Sequence, residues 1–138
     1  MIDRWDNGQA ADFFAQAQNA LAACDFDNAI NLYLQGLKVE RENVEAHRAH
    51  RQVSFQRKSA GGHDLGLMDV WKLSWTWRRS DRQNLLNAER LLAYDPGNMD
   101  KMLTVYQAAS AGGFFDTAEW ISEVLPRANA ASPRAWPS

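Results

Sequence analysis

Two histidines are the residues of this 138-residue chain whose spacing most resembles a metal site. The sequence EAHRAHRQ, residues 45–52, sets His47 and His50 three apart, so both imidazoles fall on one face of a helix. Two histidines supply only two zinc ligands, and Glu45 and His63 are the only nearby residues that could add more. The pattern therefore favours packing or solvated histidines, and we expect no metal. A partly buried member of the pair should titrate near neutrality.

No catalytic motif accompanies these histidines. The sequence contains no glycine-rich phosphate loop, no nucleophile elbow and no motif that joins two carboxylates to a histidine. Gly61-Gly62 and Gly112-Gly113 are typical of helix stops and tight turns. We therefore expect a protein that is not an enzyme, with no cofactor and no small-molecule substrate.

A tryptophan-rich stretch, WKLSWTWRRSDR at residues 71–82, raises a second question. A short helix near residues 64–72 followed by an extended segment fits its periodicity. Its tryptophans could fold the segment back over neighbouring helices as packing. Alternatively, tryptophan and arginine are enriched at binding hot spots, and the segment could protrude as a docking element. The docking residues would be Trp71, Trp75, Trp77, Arg78 and Arg79.

Composition favours a single all-α domain. The chain is 46% apolar, and strictly alternating apolar runs are almost absent. Residues 41–82 hold nine Lys/Arg against five Asp/Glu, or +4, while the net charge of the whole chain is −2. This asymmetry favours encounter with an acidic partner, whereas the overall negative charge disfavours nucleic acid and no long basic amphipathic helix favours a membrane surface.

The single cysteine and the N-terminus indicate a cytoplasmic protein. Cys24 cannot form an intramolecular disulfide. The sequence has neither a secretion signal at its start nor a stretch of eighteen apolar residues.

The apolar periodicity predicts five helices outside the tryptophan-rich stretch. The first two cover residues 10–23 and 28–39, with Asp25 or Asp27 as N-cap between them. The second helix is predicted to run on toward Asn43. The remaining three cover residues 42–60, about 81–94, and 99–111.

Three stretches resemble the tetratricopeptide repeat. DFDNAINLYLQGLKVEREN places Phe26, Ala29, Tyr33, Gly36 and Leu37 in the family's order, although Glu40-Arg41 replaces its usual Asp-Pro. LLNAERLLAYDPGN repeats the family's ending, and GGFFDTAEW repeats its turn aromatic and alanine. The resemblance implies an α-solenoid, a right-handed stack of three antiparallel helix pairs. It would cover residues 1–128, with an insertion at 61–81 inside the second repeat and a flexible tail at 129–138.

In that family the first helix of each pair lines a concave groove for an extended peptide or a partner helix. The resemblance implies a small adaptor, or a subunit of a larger assembly, that binds a protein or peptide partner. Two alternatives remain open: a homo-oligomeric structural protein, and a nucleic-acid-binding module that uses the basic aromatic segment. The implied groove residues are Phe14, Gln18, Leu21, Arg48, Gln52, Phe55, Leu103 and Gln107.

Overall fold

The structure, a computed structural model, describes residues 2–62 and 80–131, with the side chains of residues 8–62 and 80–127. Within those ranges the chain is helical and contains no strand, which confirms the all-α prediction for the described part. The helices are α1 (Ile2–Ala22), α2 (Phe26–Val39), α3 (Val44–Ser59), α4 (Asp81–Ala93), α5 (Met99–Ala111) and α6 (Phe115–Ala131).

Four helices begin where a local side chain caps them. In each case a polar residue just before the helix accepts a hydrogen bond from the backbone N–H three residues on, which satisfies one of the free donors of the first turn. The caps are Asp25 for α2 (3.4 Å to Asn28 N), Asn43 for α3 (3.0 Å to Ala46 N), Ser80 for α4 (3.0 Å to Gln83 N) and Asn98 for α5 (3.0 Å to Lys101 N).

Two predicted helix ends differ from the structure. The prediction that the second helix runs on toward Asn43 is wrong, because α2 ends at Val39 and Asn43 caps the next helix. Glu40 leaves the helical conformation (φ −117°, ψ 76°) while its N–H still donates to the Gly36 carbonyl. The first helix begins at Ile2, eight residues before the predicted start, since Gly8 is the only poor helix former in that stretch and costs about 1 kcal/mol.

The turn between α1 and α2 is closed by a residue in the left-handed region. Cys24 has φ 59°, and the N–H of Asp25 donates to the Ala20 carbonyl at 2.9 Å. A side chain is disfavoured in this conformation by about 1–2 kcal/mol, and the thiol is exposed. Replacing Cys24 with glycine should therefore raise the free energy of unfolding by about 1 kcal/mol. Urea denaturation measures this, and Cys24→Ala, which keeps the strain, should leave it unchanged.

Helices α1 and α2 approach closely because Gly36 lacks a side chain. A Cβ at this position would lie 2.6 Å from Phe14 Cδ1, and the Phe14 ring is itself held beside Tyr33 with the two centroids 6.0 Å apart. We expect Gly36→Ala to lower the free energy of unfolding by about 1–2 kcal/mol through overpacking. Gly8→Ala is the matched control, since open space surrounds Gly8 and alanine there should stabilise α1. Equal effects of the two substitutions would contradict the close contact.

The described apolar core consists of two clusters. One joins α1 and α2 and also takes in Val53 of α3 and Ala93 of α4. The other joins α4, α5 and α6 around Met102, Val105 and Ile121. Helix α3 contacts α2, α4 and α6, and so connects the two clusters.

Candidate functional site

Polar side chains are buried where the two apolar clusters meet. Helix α3 has few apolar residues, and its buried face carries histidines where a core helix usually carries leucine or valine. The ring of His47 stacks on Trp120 of the α4–α6 cluster, with centroids 5.1 Å apart, and His50 meets Tyr33 of the α1–α2 cluster edge-on. We call these residues the polar layer: His47, His50, Ser54, Asn87, Glu89 and Thr117.

His47 is the centre of this layer. Its Nδ1 forms an ion pair with the Glu89 carboxylate, and its Nε2 lies 2.7 Å from the Arg41 carbonyl oxygen. A protonated imidazole donates from both ring nitrogens, which suits an Nδ1 beside a carboxylate and an Nε2 beside a carbonyl oxygen. Burial lowers the pKa of His47, but the charge and hydrogen bond of Glu89, together with the Arg41 carbonyl, outweigh burial and raise it above the usual histidine value.

Glu89, His47 and Thr117 follow one another in the order of a catalytic triad. The Thr117 hydroxyl oxygen is 3.1 Å from His47 Nε2. A triad requires that nitrogen to accept the hydroxyl proton, whereas here it donates to Arg41. The hydroxyl also has its own acceptors, the Arg41 carbonyl at 2.8 Å and Glu42 Oε1 at 3.0 Å. The arrangement therefore holds a charge in place, and His47 Nε2 is not placed to accept the hydroxyl proton.

Glu42, in the turn between α2 and α3, caps the distant helix α6. Its two carboxylate oxygens accept from the backbone N–H groups of Asp116 and Thr117, each at 3.1 Å. The residue before α6 is Phe114, which has no side-chain acceptor, so this helix lacks a local cap. A carboxylate from elsewhere in the chain replaces it and also interacts favourably with the helix dipole.

Replacing Glu42 with alanine should lower the free energy of unfolding by about 1–2 kcal/mol, because two N–H groups of α6 lose their acceptor. Urea denaturation followed by circular dichroism measures this. Glu123→Ala, an exposed change on the same helix, should stay within about 0.5 kcal/mol of the unaltered protein. A loss at Glu42 no larger than the loss at Glu123 would show that the cap contributes nothing.

Three buried atoms of the polar layer have no hydrogen-bond partner among the described residues: His47 Nδ1, which is in the ion pair with Glu89, and His50 Nε2 and Glu89 Oε2. His50 and Glu89 line a small cavity that also touches Trp120 and leaves about 10 Å³ for the centre of a water molecule. That volume suits one water and no larger ligand. Burial is the largest cause that lowers the pKa of His50 to about 3, and the positive charges of His47 and Arg90 add to it. Titration near neutrality is the prediction for a partly buried histidine, whereas the His50 side chain is buried.

The opposite face of α3 is exposed and carries three of the predicted groove residues. Arg48, Gln52 and Phe55 follow one another at helical spacing, and each is exposed. The guanidinium of Arg51 lies 4.8 Å from the centroid of the Phe55 ring. Arg51 also donates to the Pro96 carbonyl at 3.0 Å, which anchors α3 to the turn before α5.

The other predicted groove residues differ in how exposed their side chains are. Gln18 and Gln107 are exposed and Leu103 is half-buried. Phe14 and Leu21 pack on the α1–α2 cluster. The most extensive helix contacts of the described chain join none of α1, α3 and α5 to one another, and a shared groove formed by these helices stays a prediction. The predicted docking residues Trp71, Trp75, Trp77, Arg78 and Arg79 lie outside the described residues.

Sequence reasoning missed Glu89, Thr117 and Glu42. The sequence pattern could have identified Glu89, because it lies among Leu85, Ala88 and Leu92 on the buried stripe of α4. A carboxylate in that position requires a partner. The periodicity of α3 also places His47 and His50 on the buried side with Val53. No local signal pairs Glu42 with α6, because the two are more than seventy residues apart.

The described residues contain no group of three His, Cys, Asp or Glu side chains placed to hold a metal ion. No helix in the same ranges is long and apolar enough to cross a membrane. Comparison of the chain with protein-family models, with curated proteins and with solved structures gave no match.

Proposed function

We propose that this protein is a non-catalytic interaction module, an adaptor or a subunit of a larger assembly, that binds a protein partner on the exposed face of α3. The proposal includes a tetratricopeptide-like arrangement in which α1–α2, α3–α4 and α5–α6 form three stacked pairs. Contacts within the first and third pairs, α1 with α2 and α5 with α6, and contacts between successive pairs, α2 with α3 and α4 with α5, support it. The long interval between α3 and α4 is the place where the second pair is interrupted.

The observation that carries the proposal is the exposed aromatic ring of Phe55. This side chain is 42% exposed on a helix, with a guanidinium over one face of its ring. Phenylalanine and arginine are enriched at protein interfaces, and arginine is also enriched among the few side chains that contribute most of the binding energy. Because Arg51 is fixed by the Pro96 carbonyl, the ring is held in place before a partner arrives, which reduces the entropy lost on binding.

The neighbouring side chains would define the orientation of the partner. Arg48 lies seven residues before Phe55 and can form a two-pronged hydrogen bond with a carboxylate. Gln52 lies between them and can pair with a backbone amide of the partner. The partner would place an apolar side chain against Phe55 and a carboxylate at Arg48, on a segment that runs along α3.

The test is affinity capture from the native extract with matched variants. The unaltered chain, a Phe55→Ala variant and a Phe115→Ala variant are compared, since Phe115 is a second exposed aromatic, 71% exposed at the start of α6. We expect a partner that is enriched by the unaltered chain and by Phe115→Ala, and lost with Phe55→Ala. Arg48→Ala should weaken the capture of the same partner.

Two outcomes would overturn the proposal. One is a partner that survives Phe55→Ala and Arg48→Ala, which would place binding elsewhere. The other is capture of only a second, differently tagged copy of this chain, which would favour a homo-oligomer. Circular dichroism and thermal melting of each variant establish beforehand that the fold is retained.

A further inference from the structure

An open cleft with a cationic lining lies on a different part of the molecule. Its volume is about 690 Å³, within the usual range for binding sites. The described lining consists of Gln9 and Phe13 of α1, Gln35, Lys38 and Val39 of α2, and Arg41 and Arg82. None of these residues belongs to the exposed face of α3, so the two surfaces can be tested separately.

The positive charges of the cleft are not balanced by described carboxylates on its wall. Lys38, Arg41 and Arg82 line it, and no acidic residue of the described ranges does. Burial and the nearby charge of Arg82 lower the pKa of Arg41, with Glu42 opposing the effect. The Glu42 carboxylate is committed to the N-terminus of α6 through two hydrogen bonds. Arg41 and Arg82 thus bring two guanidinium groups to one cleft, where an anion would have two cationic partners.

Two contacts restrict the guanidinium of Arg41 before an anion binds. Its Nη1 donates to the Lys38 carbonyl at 3.3 Å, and its guanidinium carbon lies 5.4 Å from the centroid of the Phe114 ring. A guanidinium fixed by a carbonyl and an aromatic ring loses little freedom when it pairs with a carboxylate. Arg41 is thus preorganised to bind an anion.

The remaining lining distinguishes a peptide from a simple anion. Phe13 offers an apolar surface for a side chain, and the amides of Gln9 and Gln35 can each donate to and accept from a peptide backbone. We infer that this cleft binds an extended, acidic peptide segment of a partner protein, with its carboxylates on Lys38, Arg41 and Arg82. The net charge of the whole chain is −2, which disfavours nucleic acid as the ligand.

The experiment uses the full chain and fluorescence anisotropy. A short labelled peptide of alternating Glu and Ser is titrated with the protein at low salt, beside the same peptide with Gln in place of Glu. We expect the Glu peptide to bind and the Gln peptide not to bind. Arg82→Glu and Lys38→Glu should each weaken binding of the Glu peptide about tenfold or more.

Arg127→Glu is the matched control, because it makes the same charge change at an exposed position on α6. It should leave the affinity within about twofold of the unaltered chain, as expected for an exposed charge that does not line the cleft. Phe55→Ala should also leave peptide binding unchanged, which separates this inference from the proposed function of α3.

Four results would overturn the inference. These are absence of Glu-peptide binding, equal binding of the Gln peptide, equal weakening by Arg127→Glu, and tighter binding of a single-stranded oligonucleotide that displaces the peptide. The last result would assign the cleft to nucleic acid. Circular dichroism of each variant confirms the fold, and glutamate is a favourable residue in the first turn of α4, where Arg82 lies.

Discussion

Replacing Glu89 with alanine is expected to lower the free energy of unfolding by about 3–5 kcal/mol. The substitution leaves the buried, charged His47 without its counterion, since Glu89 is the carboxylate paired with His47 Nδ1 and both side chains are almost completely buried. It also enlarges the small cavity beside Trp120. Whole domains are stable by only about 5–15 kcal/mol, so this single change removes a large share of the total.

Urea denaturation at neutral pH measures the loss, and two further variants interpret it. Glu119→Ala removes an exposed carboxylate on α6 and should change stability by less than about 0.5 kcal/mol. Glu89→Gln keeps the side-chain shape, and its amide can donate a hydrogen bond to a neutral His47. Above pH 7 it should therefore destabilise the protein less than Glu89→Ala does. In acid, where His47 regains its proton, the loss of stability caused by Glu89→Gln should increase. A loss below about 1 kcal/mol for Glu89→Ala would mean that the pair is not what holds α3 against α4.

Acidification from pH 7 to pH 5 is expected to destabilise the protein through His50 by about 2 kcal/mol. The pKa of His50 is lowered to about 3 by burial and by neighbouring positive charges, whereas the unfolded chain takes up this proton near pH 6.5. Between those two values the unfolded state binds the additional proton, so the stability from neutral His50 is fully present above about pH 6.5 and is lost as the pH falls toward 3. The raised pKa of His47 has the opposite sign: its stabilisation is fully present below about pH 6.5 and is lost as the pH rises through its folded value.

The contribution of His50 is isolated by comparison with a variant that cannot titrate. Unfolding of the unaltered chain and of His50→Leu is measured at pH 7 and pH 5, where most carboxylates remain ionised. The stability of His50→Leu relative to the unaltered chain should rise by about 2 kcal/mol over this interval. Leucine also replaces a buried nitrogen that has no described partner, so it should not be harmful at pH 7. If the free energies of unfolding of the two proteins changed equally between pH 7 and pH 5, the result would contradict the burial of a neutral His50.

The helices were predictable because apolar periodicity and capping residues are local features of the sequence. Apolar periodicity located α2 to α5 to within a few residues, and Asp25 caps α2 as one of the two predicted candidates. The end of α2 was missed because Glu40 and Arg41 contain no helix breaker, and it is the cap of Asn43 on the next helix that sets the boundary. The glycine pairs behaved as predicted, with Gly61 and Gly113 at positive φ just after α3 and α5.

The polar layer was not predictable in the same way, because it is assembled from residues far apart in the chain. His47 attracted attention through its spacing from His50, which suggested metal ligation. In the structure its partners are Glu89, forty-two residues away, and Thr117, seventy residues away. A histidine on the buried side of a helix predicts that a partner exists, but only the packing of α3 against α4 and α6 identifies it.

Site-specific photo-crosslinking can establish whether a partner protein binds the exposed face of α3. A photoreactive residue is placed at Gln52, which lies between Arg48 and Phe55, and in a parallel protein at Glu123, which is exposed on α6. We expect one discrete crosslinked partner from position 52 that is absent from position 123 and disappears when Phe55→Ala is added. Crosslinks of equal yield from both positions, or a partner captured from position 123 alone, would contradict this expectation.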